Sequence, residues 1–253
     1  MDEGRTVSAC LIIIGNEILS GRTVDANLPF IARELGEIGI RMMEARIVPD
    51  LEAEIVAAVN ECRRKHDYVF TTGGIGPTHD DITSASVAKA LGLRYGRHPE
   101  AERRMIAYYP PEKLNAARLK MAETPEGAEL IDNPVSVAPG FRVDNVYVLP
   151  GVPSIMQAMF AGLKARLKGG ATILSRTLTV YAPEGEIAKP LGRIQDAHPT
   201  VEIGSYPFMR PERFGTSIVF RSSDAAALAA AADALLAHAR TAGIEVEEQA
   251  TTG

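Results

Sequence analysis

A glycine-rich stretch between two apolar segments offers the clearest chemistry in the chain. Gly73-Gly74-Ile75-Gly76 follows the apolar run 68–71 and precedes a helix-like pattern over residues 87–91. Amides of a tight turn and of a helix N-terminus can converge on an anion, and glycine lets a ligand approach the backbone closely. The alternative is a structural turn in which the glycines only supply positive φ. We interpret the stretch as a phosphate-binding loop.

Two carboxylates, Asp80 and Asp81, follow the glycines within the same loop. Beside a phosphate they are consistent with a bound cation, a positive group of the substrate or proton transfer. One of them, or Thr83, could instead cap the next helix. We expect one aspartate to cap that helix and the other to face the cleft. His79 lies in the same motif and could donate to a phosphate or be an exposed residue without a role.

The surrounding pattern alternates between strand and helix. Residues 7–14 are almost all apolar, as in a strand buried on both faces of a parallel sheet. Helical spacing over 28–38, a strand over 41–48, a helix over 51–62 and a strand over 68–71 follow. Asp50 is a possible N-cap of the second helix. This order predicts a parallel α/β sheet, with the loops after its strands gathered at one edge.

The remaining pattern predicts two domains, 1–169 and 170–253. The first continues with a helical stretch over 99–121 interrupted at Pro110-Pro111, a buried strand over 146–149 and a helix over 155–163. Lys168-Gly169-Gly170 marks the break. The second domain has the order βαββαβ of a small α+β unit, and its last helix, over 224–242, is rich in alanine.

Composition restricts the classes of function. The chain has 253 residues, 46% of them hydrophobic, and no apolar run near the roughly 20 residues that span a bilayer. We expect a cytoplasmic protein with no membrane association. The net charge of −5 argues against nucleic acid as a partner. Cys10 and Cys62 show neither metal-ligand nor redox spacing and are predicted to be inert core thiols.

Three separated motifs give the chain a family resemblance, which covers residues 7 to about 167. The run 71–78 with Asp81 and Thr83 resembles the signature loop of the molybdopterin-binding fold shared by MogA, MoaB and the N-terminal part of CinA. The segment 15–21 with Asp25 and Asn27, and the turn 149–153, are similar to the CinA version. The second domain also resembles the middle region of CinA, more loosely around Glu184-Gly185-Glu186. The resemblance does not include the amidase domain common in CinA proteins, so amidase activity is not carried over.

The resemblance implies a ligand site at the edge of the sheet where the strands end. Asp81 takes the place of the catalytic carboxylate, and Asp50 matches a second acidic position facing the same cleft, although it could equally be a helix cap. A divalent metal ion, Mg²⁺, Mn²⁺ or Co²⁺, is implied at Asp80, Asp81 and Asp25. The implied phosphate and ligand contacts are Gly73, Gly74, Gly76, Pro77, Thr78, Thr83, Asn16, Glu17, Asn27, Pro150 and Gly151.

Three functions are consistent with this site. CinA-type domains are associated with cleavage of the pyrophosphate of ADP-ribose, and a carboxylate-rich mouth favours a metal-dependent nucleotide pyrophosphatase. The alternatives are a molybdopterin-binding protein of molybdenum cofactor biosynthesis and a nucleotide-binding regulatory module without turnover. In each case the partner is a small phosphorylated ligand, a nucleotide or a pterin. We also expect a homo-oligomer, with a dimer favoured; the alanine-rich helix is either part of its interface or packed on its own sheet.

Overall fold

A computed structural model describes residues 6–210 and 213–248 of the chain. The chain divides into two compact units between Gly170 and Ala171. Within the described ranges, no helix combines the length and apolar character needed to cross a membrane.

The first unit is built around a six-stranded mixed sheet with helices on both faces. Its strands are β1 (Val7–Ile14), β2 (Ile40–Val48), β3 (Tyr68–Thr72), β6 (Glu129–Ile131), β7 (Gly140–Val143) and β8 (Val146–Leu149), while β4 (Tyr95–Arg97) and β5 (Glu123–Pro125) pair separately. Its helices are α1 (Asn16–Leu19), α2 (Asn27–Glu37), α3 (Glu52–Lys65), α4 (Thr83–Leu91), α5 (Pro99–Tyr108), α6 (Ala116–Lys120) and α7 (Pro153–Lys164), with a 3₁₀ turn at Pro111–Lys113. The sheet order is β2-β1-β3-β8-β7-β6.

The apolar character of β1 reflects burial on both faces of the sheet. Cys10, Ile12 and Ile14 contribute to one core with residues of α3 and α4. Ala9, Leu11 and Ile13 contribute to the other core with residues of α2 and α7. Because side chains alternate along a strand, a strand covered by helices on both sides requires an unbroken apolar run. Strand β1 therefore lies inside the sheet, between β2 and β3.

The sheet confirms the predicted parallel pairing in four of its strands and adds two antiparallel strands. Strands β2, β1, β3 and β8 are parallel, but β7 and β6 add antiparallel pairs at one edge. Strands β6 and β7 are three and four residues long, too short to show a clear period in the sequence. The turn between β7 and β8 contains Asp144 at a φ of 50°. Asn145, the residue after it, donates side-chain hydrogen bonds to the carbonyls of Arg63 and His66.

The second unit has the βαββαβ order that the sequence pattern predicts. It consists of β9 (Leu174–Val180), α8 (Glu184–Ala197), β10 (Glu202–Arg210), β11 (Arg213–Ser222), α9 (Ala225–Ala242) and β12 (Val246–Glu248). The sheet order is β10-β11-β9-β12, and each of these pairs is antiparallel. The alanine-rich helix α9 packs Leu228, Ala231 and Leu235 into the core of this unit. The buried face of α9 therefore covers the sheet of its own unit, which is one of the two roles predicted for this helix.

Candidate functional site

A cavity of about 520 Å³ lies where β3 and β8 end, as expected for a sheet whose parallel strands end at one edge. The glycine loop after β3 forms part of its wall, and the Pro150-Gly151 turn after β8 forms another. The lining residues are Glu17, Thr23, Gly73, Gly74, Ile75, Gly76, Pro77, Asp81, Met121, Asn133, Ser136, Ala138, Pro139, Pro150, Gly151, Val152, Pro153 and Ile155. The cavity therefore brings together eight of the predicted site residues: Glu17, Gly73, Gly74, Gly76, Pro77, Asp81, Pro150 and Gly151.

The glycine loop requires glycine at two adjacent positions. Gly73 and Gly74 have φ values of 101° and 67°, in the region that residues with a side chain avoid. A Cβ atom on Gly73 would lie 2.1 Å from the carbonyl oxygen of Ile14, and one on Gly74 would lie 2.1 Å from Oγ1 of Thr83. Gly151 also lies close to this loop: a Cβ atom added to it would be 3.2 Å from Cα of Gly73. The glycines let the loop pack closely on β1 and α4.

Backbone amides of this loop are free to bind a ligand. The amides of Gly74, Ile75 and Gly76 donate no hydrogen bond to an acceptor within the described residues, whereas the amide of Gly73 bonds to the carbonyl of Leu149 at 3.2 Å. Consecutive free amides in a turn with left-handed residues can converge on an oxyanion. The loop itself therefore supplies hydrogen-bond donors to the cavity.

Two helices also begin at the cavity without a side-chain cap. Helix α4 starts after Ile82, and helix α7 starts after Val152 with proline at its first position. The first amides of an uncapped helix lack intrahelical acceptors and carry the positive end of the helix dipole. Both helix starts favour a negatively charged ligand in this cavity.

Neither aspartate of the loop caps α4, and neither does Thr83, contrary to the sequence expectation. Oδ2 of Asp81 accepts hydrogen bonds from the backbone nitrogen of Thr78, at 2.8 Å, and from the Thr78 hydroxyl. Asp81 thereby closes a turn within the loop instead of capping the helix. It still lines the cavity, as expected. Thr83 is fully buried, its amide donates to the carbonyl of Gly74 at 3.0 Å, and its hydroxyl has no hydrogen-bond partner.

Asp80 and His79 lie on the outer side of the loop. Their side chains are 61% and 98% exposed, and neither lines the cavity. The nearby Thr78 hydroxyl lowers the pKa of Asp80, so this carboxyl is ionised at neutral pH. Thr78 is exposed as well, and it contacts the cavity only through its hydrogen bonds to Asp81. Of these three polar residues, only Thr78 contacts Asp81, the carboxylate that lines the cavity.

A smaller cavity of about 50 Å³ adjoins the main one and shares Glu17, Thr23, Gly151 and Pro153 with it. Asp25, Asn27 and Thr72 also line it. The Asn27 amide nitrogen donates to the carbonyl of Gly151 at 2.9 Å, which leaves its buried Oδ1 without a partner. The buried Thr72 hydroxyl also lacks a partner. Unpartnered buried oxygens are costly, so these two atoms mark a place for a bound water or cation.

The oxygen atoms of this smaller cavity fit the preferences of Mg²⁺ or Mn²⁺, which take carboxylate, carbonyl and hydroxyl oxygens. The residues that would hold such an ion are Glu17, Asp25, Asn27 and Thr72. One oxygen of Asp25 is already used, since Oδ2 accepts from the amide of Leu28 at 2.8 Å near the start of α2. Within the described ranges, Asp25, Asp80 and Asp81 do not form one cluster of ligand atoms. The predicted ligand set is thus divided, with Asp25 at the small cavity and Asp80 outside both.

Asp50 neither caps α3 nor lines either cavity, which corrects both expectations for it. Helix α3 begins after Leu51 without a side-chain cap. Oδ2 of Asp50 instead accepts a hydrogen bond from the amide of Asn16 at 2.9 Å. Asn16 is the first residue of α1 and is exposed outside the cavity, while its neighbour Glu17 lines the cavity. Asp50 therefore contacts the backbone of the residue that precedes Glu17.

The segment 133–139 forms a wall of the main cavity that the sequence reasoning missed. Asn133 organises it: Nδ2 donates to the Ser136 hydroxyl and to the Ala138 carbonyl, both at 2.8 Å, and Oδ1 accepts from the amide of Val135 at 2.9 Å. The Asn133-Pro134 dipeptide is a turn signal that could have located this loop. Its position beside the glycine loop depends on tertiary packing.

The second unit carries a separate groove of about 470 Å³ along α8. Glu184 and Gly185, from the motif noted in the sequence, line it together with Ser205, whose hydroxyl donates to Glu184. This hydrogen bond joins the start of α8 to β10.

Comparison with known proteins agrees with this architecture. Residues 10–169 match the family described as "Probable molybdopterin binding domain", and residues 172–248 match "FAD synthase, middle domain". A protein of Pyrobaculum calidifontis is 37% identical over 79% of this chain and 80% of its own length. A CinA-like protein of Desulfosudis oleivorans is 37% identical over 77% of this chain and 50% of its own length. The crystal structure of the protein CinA from Thermoplasma acidophilum, described as of unknown function, has a TM-score of 0.60, with 35% identity, over 64% of this chain and 99% of that one.

The fold and the family match define a molybdopterin-binding fold with a second, smaller α+β region. The chain belongs to the molybdopterin-binding-domain family, as a CinA-like member with a FAD-synthase-type middle domain.

Proposed function

We propose that this protein is a metal-dependent pyrophosphatase acting on a nucleotide of the ADP-ribose type. The observation that carries the proposal is the cavity at the end of β3 and β8, where free amides of Gly74, Ile75 and Gly76 and two uncapped helix starts meet two carboxylates. The amides suit phosphate oxygens, whereas carboxylates would repel them. Such a combination is favourable when a cation lies between the carboxylates and the phosphates.

The charge of the cavity wall supports the involvement of a cation. Glu17 and Asp81 are its charged members, and the lining residues within the described ranges include no lysine or arginine. Lys120 is close, but its ammonium group donates to the carbonyl of Thr78 at 2.7 Å on the outer side of the loop. Backbone amides and helix dipoles neutralise only part of the negative charge of a pyrophosphate. A divalent cation would supply the missing charge.

The residues of this chain would then have distinct tasks. The glycine loop would hold the phosphate oxygens, and Glu17, Asp25, Asn27 and Thr72 would hold the metal ion. The ion would polarise a phosphoryl group and lower the pKa of a bound water. Asp81, held in place by Thr78, would accept the proton of the attacking water. Water adds to one phosphorus and the bridging P–O bond breaks, so ADP-ribose gives AMP and ribose 5-phosphate.

The names of the two matched families support the same ligand chemistry. FAD contains a pyrophosphate between its two halves, and molybdopterin carries a phosphate. Both favour a phosphorylated ligand of nucleotide or pterin type. The family description "Probable molybdopterin binding domain" specifically favours a second candidate, a pterin-binding protein of molybdenum cofactor biosynthesis.

Product analysis of purified protein tests the proposal. The protein is incubated with ADP-ribose in Mg²⁺, Mn²⁺ or Co²⁺, or with EDTA, and AMP is measured by chromatography. We expect AMP in at least one metal, none with EDTA, and strongly reduced AMP with Asp81→Asn. Binding of ADP-ribose without AMP in any metal would leave a regulatory nucleotide-binding module, and binding of a pterin alone would support the second candidate; either result would contradict the pyrophosphatase.

A further inference from the structure

The two cysteines of the chain meet in the core of the first unit although 52 positions separate them. Cys10 lies in the middle of β1, and Cys62 lies in the last turn of α3. Both are fully buried, and their sulfur atoms are 3.1 Å apart, with the Cys10 thiol donating to Cys62. Two thiols in direct contact need little motion to form a covalent bond.

We propose that Cys10 and Cys62 form a reversible dithiol–disulfide site that links β1 to α3. This inference stands on the core packing and is independent of the proposed pyrophosphatase activity. It differs from the expectation of inert core thiols, which rested on the lack of metal-ligand or redox spacing in the sequence.

The surroundings give the two sulfurs different reactivities. The hydrogen bond from Cys10 and the positive charge of Arg46 lower the pKa of Cys62. The same hydrogen bond and burial raise the pKa of Cys10. Because the thiolate is the reactive form, Cys62 is the first nucleophile and Cys10 is the thiol that completes the disulfide.

A metal site is the competing interpretation, since the sulfurs and a carboxylate oxygen of Glu44 lie within 4.8 Å of one another. The carboxylate is already engaged on both oxygens: Oε1 accepts from Arg46 at 2.6 Å, and Oε2 accepts from Lys65 at 2.6 Å. Two thiolates on one tetrahedral zinc ion would also be about 3.8 Å apart, given Zn–S bonds of about 2.3 Å. The sulfur atoms are closer than in a zinc site, and both oxygens of Glu44 already accept hydrogen bonds. Both observations favour a disulfide over a metal site.

Charged side chains lie close to the buried sulfurs, since a carboxylate oxygen of Glu44 is within 4.8 Å of both. Arg46 bridges Glu44 and Glu61, and Lys65 contacts Glu44, so this carboxylate belongs to a cluster of ion pairs. The final turn of a helix opens more readily than its centre. Opening of this turn would expose Cys62 to a small oxidant.

The oxidant in this proposal is a low-molecular-weight disulfide such as oxidised glutathione. The Cys62 thiolate attacks one glutathione sulfur and releases one glutathione thiolate, giving a mixed disulfide. The thiolate of Cys10, formed by loss of its proton to solvent, then attacks the Cys62 sulfur and releases the second glutathione. The protein loses two hydrogens and two electrons, and one oxidised glutathione becomes two reduced molecules.

The test is equilibration of the full chain with buffers of reduced and oxidised glutathione, followed by acid quenching, alkylation and mass spectrometry. The chain has two cysteines, so each thiol is assigned without ambiguity. We expect the intact chain to lose about 2 Da and to escape alkylation when oxidised. We expect the ratio of oxidised to reduced protein, in one buffer, to be at least about 100-fold higher for the folded chain than for the urea-unfolded chain. The melting temperature of the oxidised chain should rise by about 5–10 °C.

Cys10→Ala and Cys62→Ala are the matched variants, each with one remaining thiol. They should carry a glutathione adduct or stay reduced, and neither should lose 2 Da as a monomer. The measurement on the unaltered chain decides the matter even where a variant folds poorly. Equal ratios for the folded and unfolded chain, a persistent glutathione adduct on the unaltered chain, or stoichiometric Zn²⁺ bound through both sulfurs would each overturn the proposal.

Discussion

The carboxylate of Asp50 accepts a hydrogen bond from the amide of Asn16, with Oδ2 and N 2.9 Å apart. This contact joins the segment after β2 to the first residue of α1, whose next residue, Glu17, lines both cavities. Gly15 adds a second connection, since its amide donates to the carbonyl of Val48 at 3.2 Å. The end of β2 thus holds the backbone that places Glu17 at the two cavities.

Removal of the Asp50 carboxylate should lower kcat/KM without removing a ligand contact. In Asp50→Ala the Asn16 amide loses its acceptor, and we expect kcat/KM for ADP-ribose to fall about tenfold, equivalent to about 1.4 kcal/mol. Asp50→Asn keeps an acceptor oxygen and should cost about threefold or less. Steady-state kinetics of both variants, with circular dichroism as a check of folding, measures this. A larger loss for Asp50→Asn than for Asp50→Ala would contradict a positioning role.

The glycine loop should be sensitive to a single added methyl group. Gly74→Ala places a Cβ 2.1 Å from Oγ1 of Thr83 and must displace the loop whose amides face the cavity. We expect the Kd for a phosphorylated ligand, measured by calorimetry, to rise at least about tenfold.

Gly92→Ala is the matched control for this change. Gly92 has the same φ of +67° at the end of α4, but a Cβ there meets nothing within 4 Å. Both variants should lose about 1 kcal/mol of stability from backbone strain, and the close contact with Thr83 adds to this loss in Gly74→Ala. Only Gly74→Ala should lose affinity, and equal affinities would show that the loop is a structural turn.

The two loop aspartates should differ sharply when each is changed to asparagine. Asp81 lines the cavity, so Asp81→Asn should reduce kcat at least about 100-fold at saturating metal, with a smaller effect on binding. Asp80 is exposed outside the cavity, and Asp80→Asn should change kcat by less than about threefold. Initial rates at several metal concentrations measure both. A greater loss in Asp80→Asn would transfer the catalytic role to Asp80.

Features that depend on residues adjacent in the chain could be predicted from the sequence. Contacts between residues far apart in the chain could not. The glycine loop was found because backbone geometry and amide donors are local properties of Gly73 and Gly74. The alternation of elements gave the four parallel strands, since burial on both faces requires long apolar runs. The contact of Cys10 with Cys62 and the partner of Asp50 depend on packing across the sheet, which spacing does not encode.

Glu44 should make the first unit sensitive to acid. Oε1 accepts from Arg46, and Oε2 accepts from Lys65 and from His66 at 3.1 Å. Hydrogen bonds from Lys65, Arg46 and His66 lower the pKa of Glu44 from 4.5 to about 2. A carboxyl with a depressed pKa in the folded chain adds stability above its unfolded pKa and loses it as the pH falls toward the folded value. The contribution of Glu44 should therefore be complete above about pH 5 and disappear between about pH 5 and pH 2.

Urea unfolding as a function of pH tests this role of Glu44. Glu44→Gln should lower the free energy of unfolding at pH 7 by about 2 kcal/mol, a value reduced from the full pKa shift because Lys65 is largely exposed. Between about pH 5 and pH 2 the stability of Glu44→Gln should fall less steeply than that of the unaltered chain. Glu126→Gln is the control, because Glu126 forms a similar but exposed pair with Arg94, and its change should leave both stability and pH profile nearly unaltered. Parallel acid profiles for Glu44→Gln and the unaltered chain would show that this ion-pair cluster does not stabilise the fold.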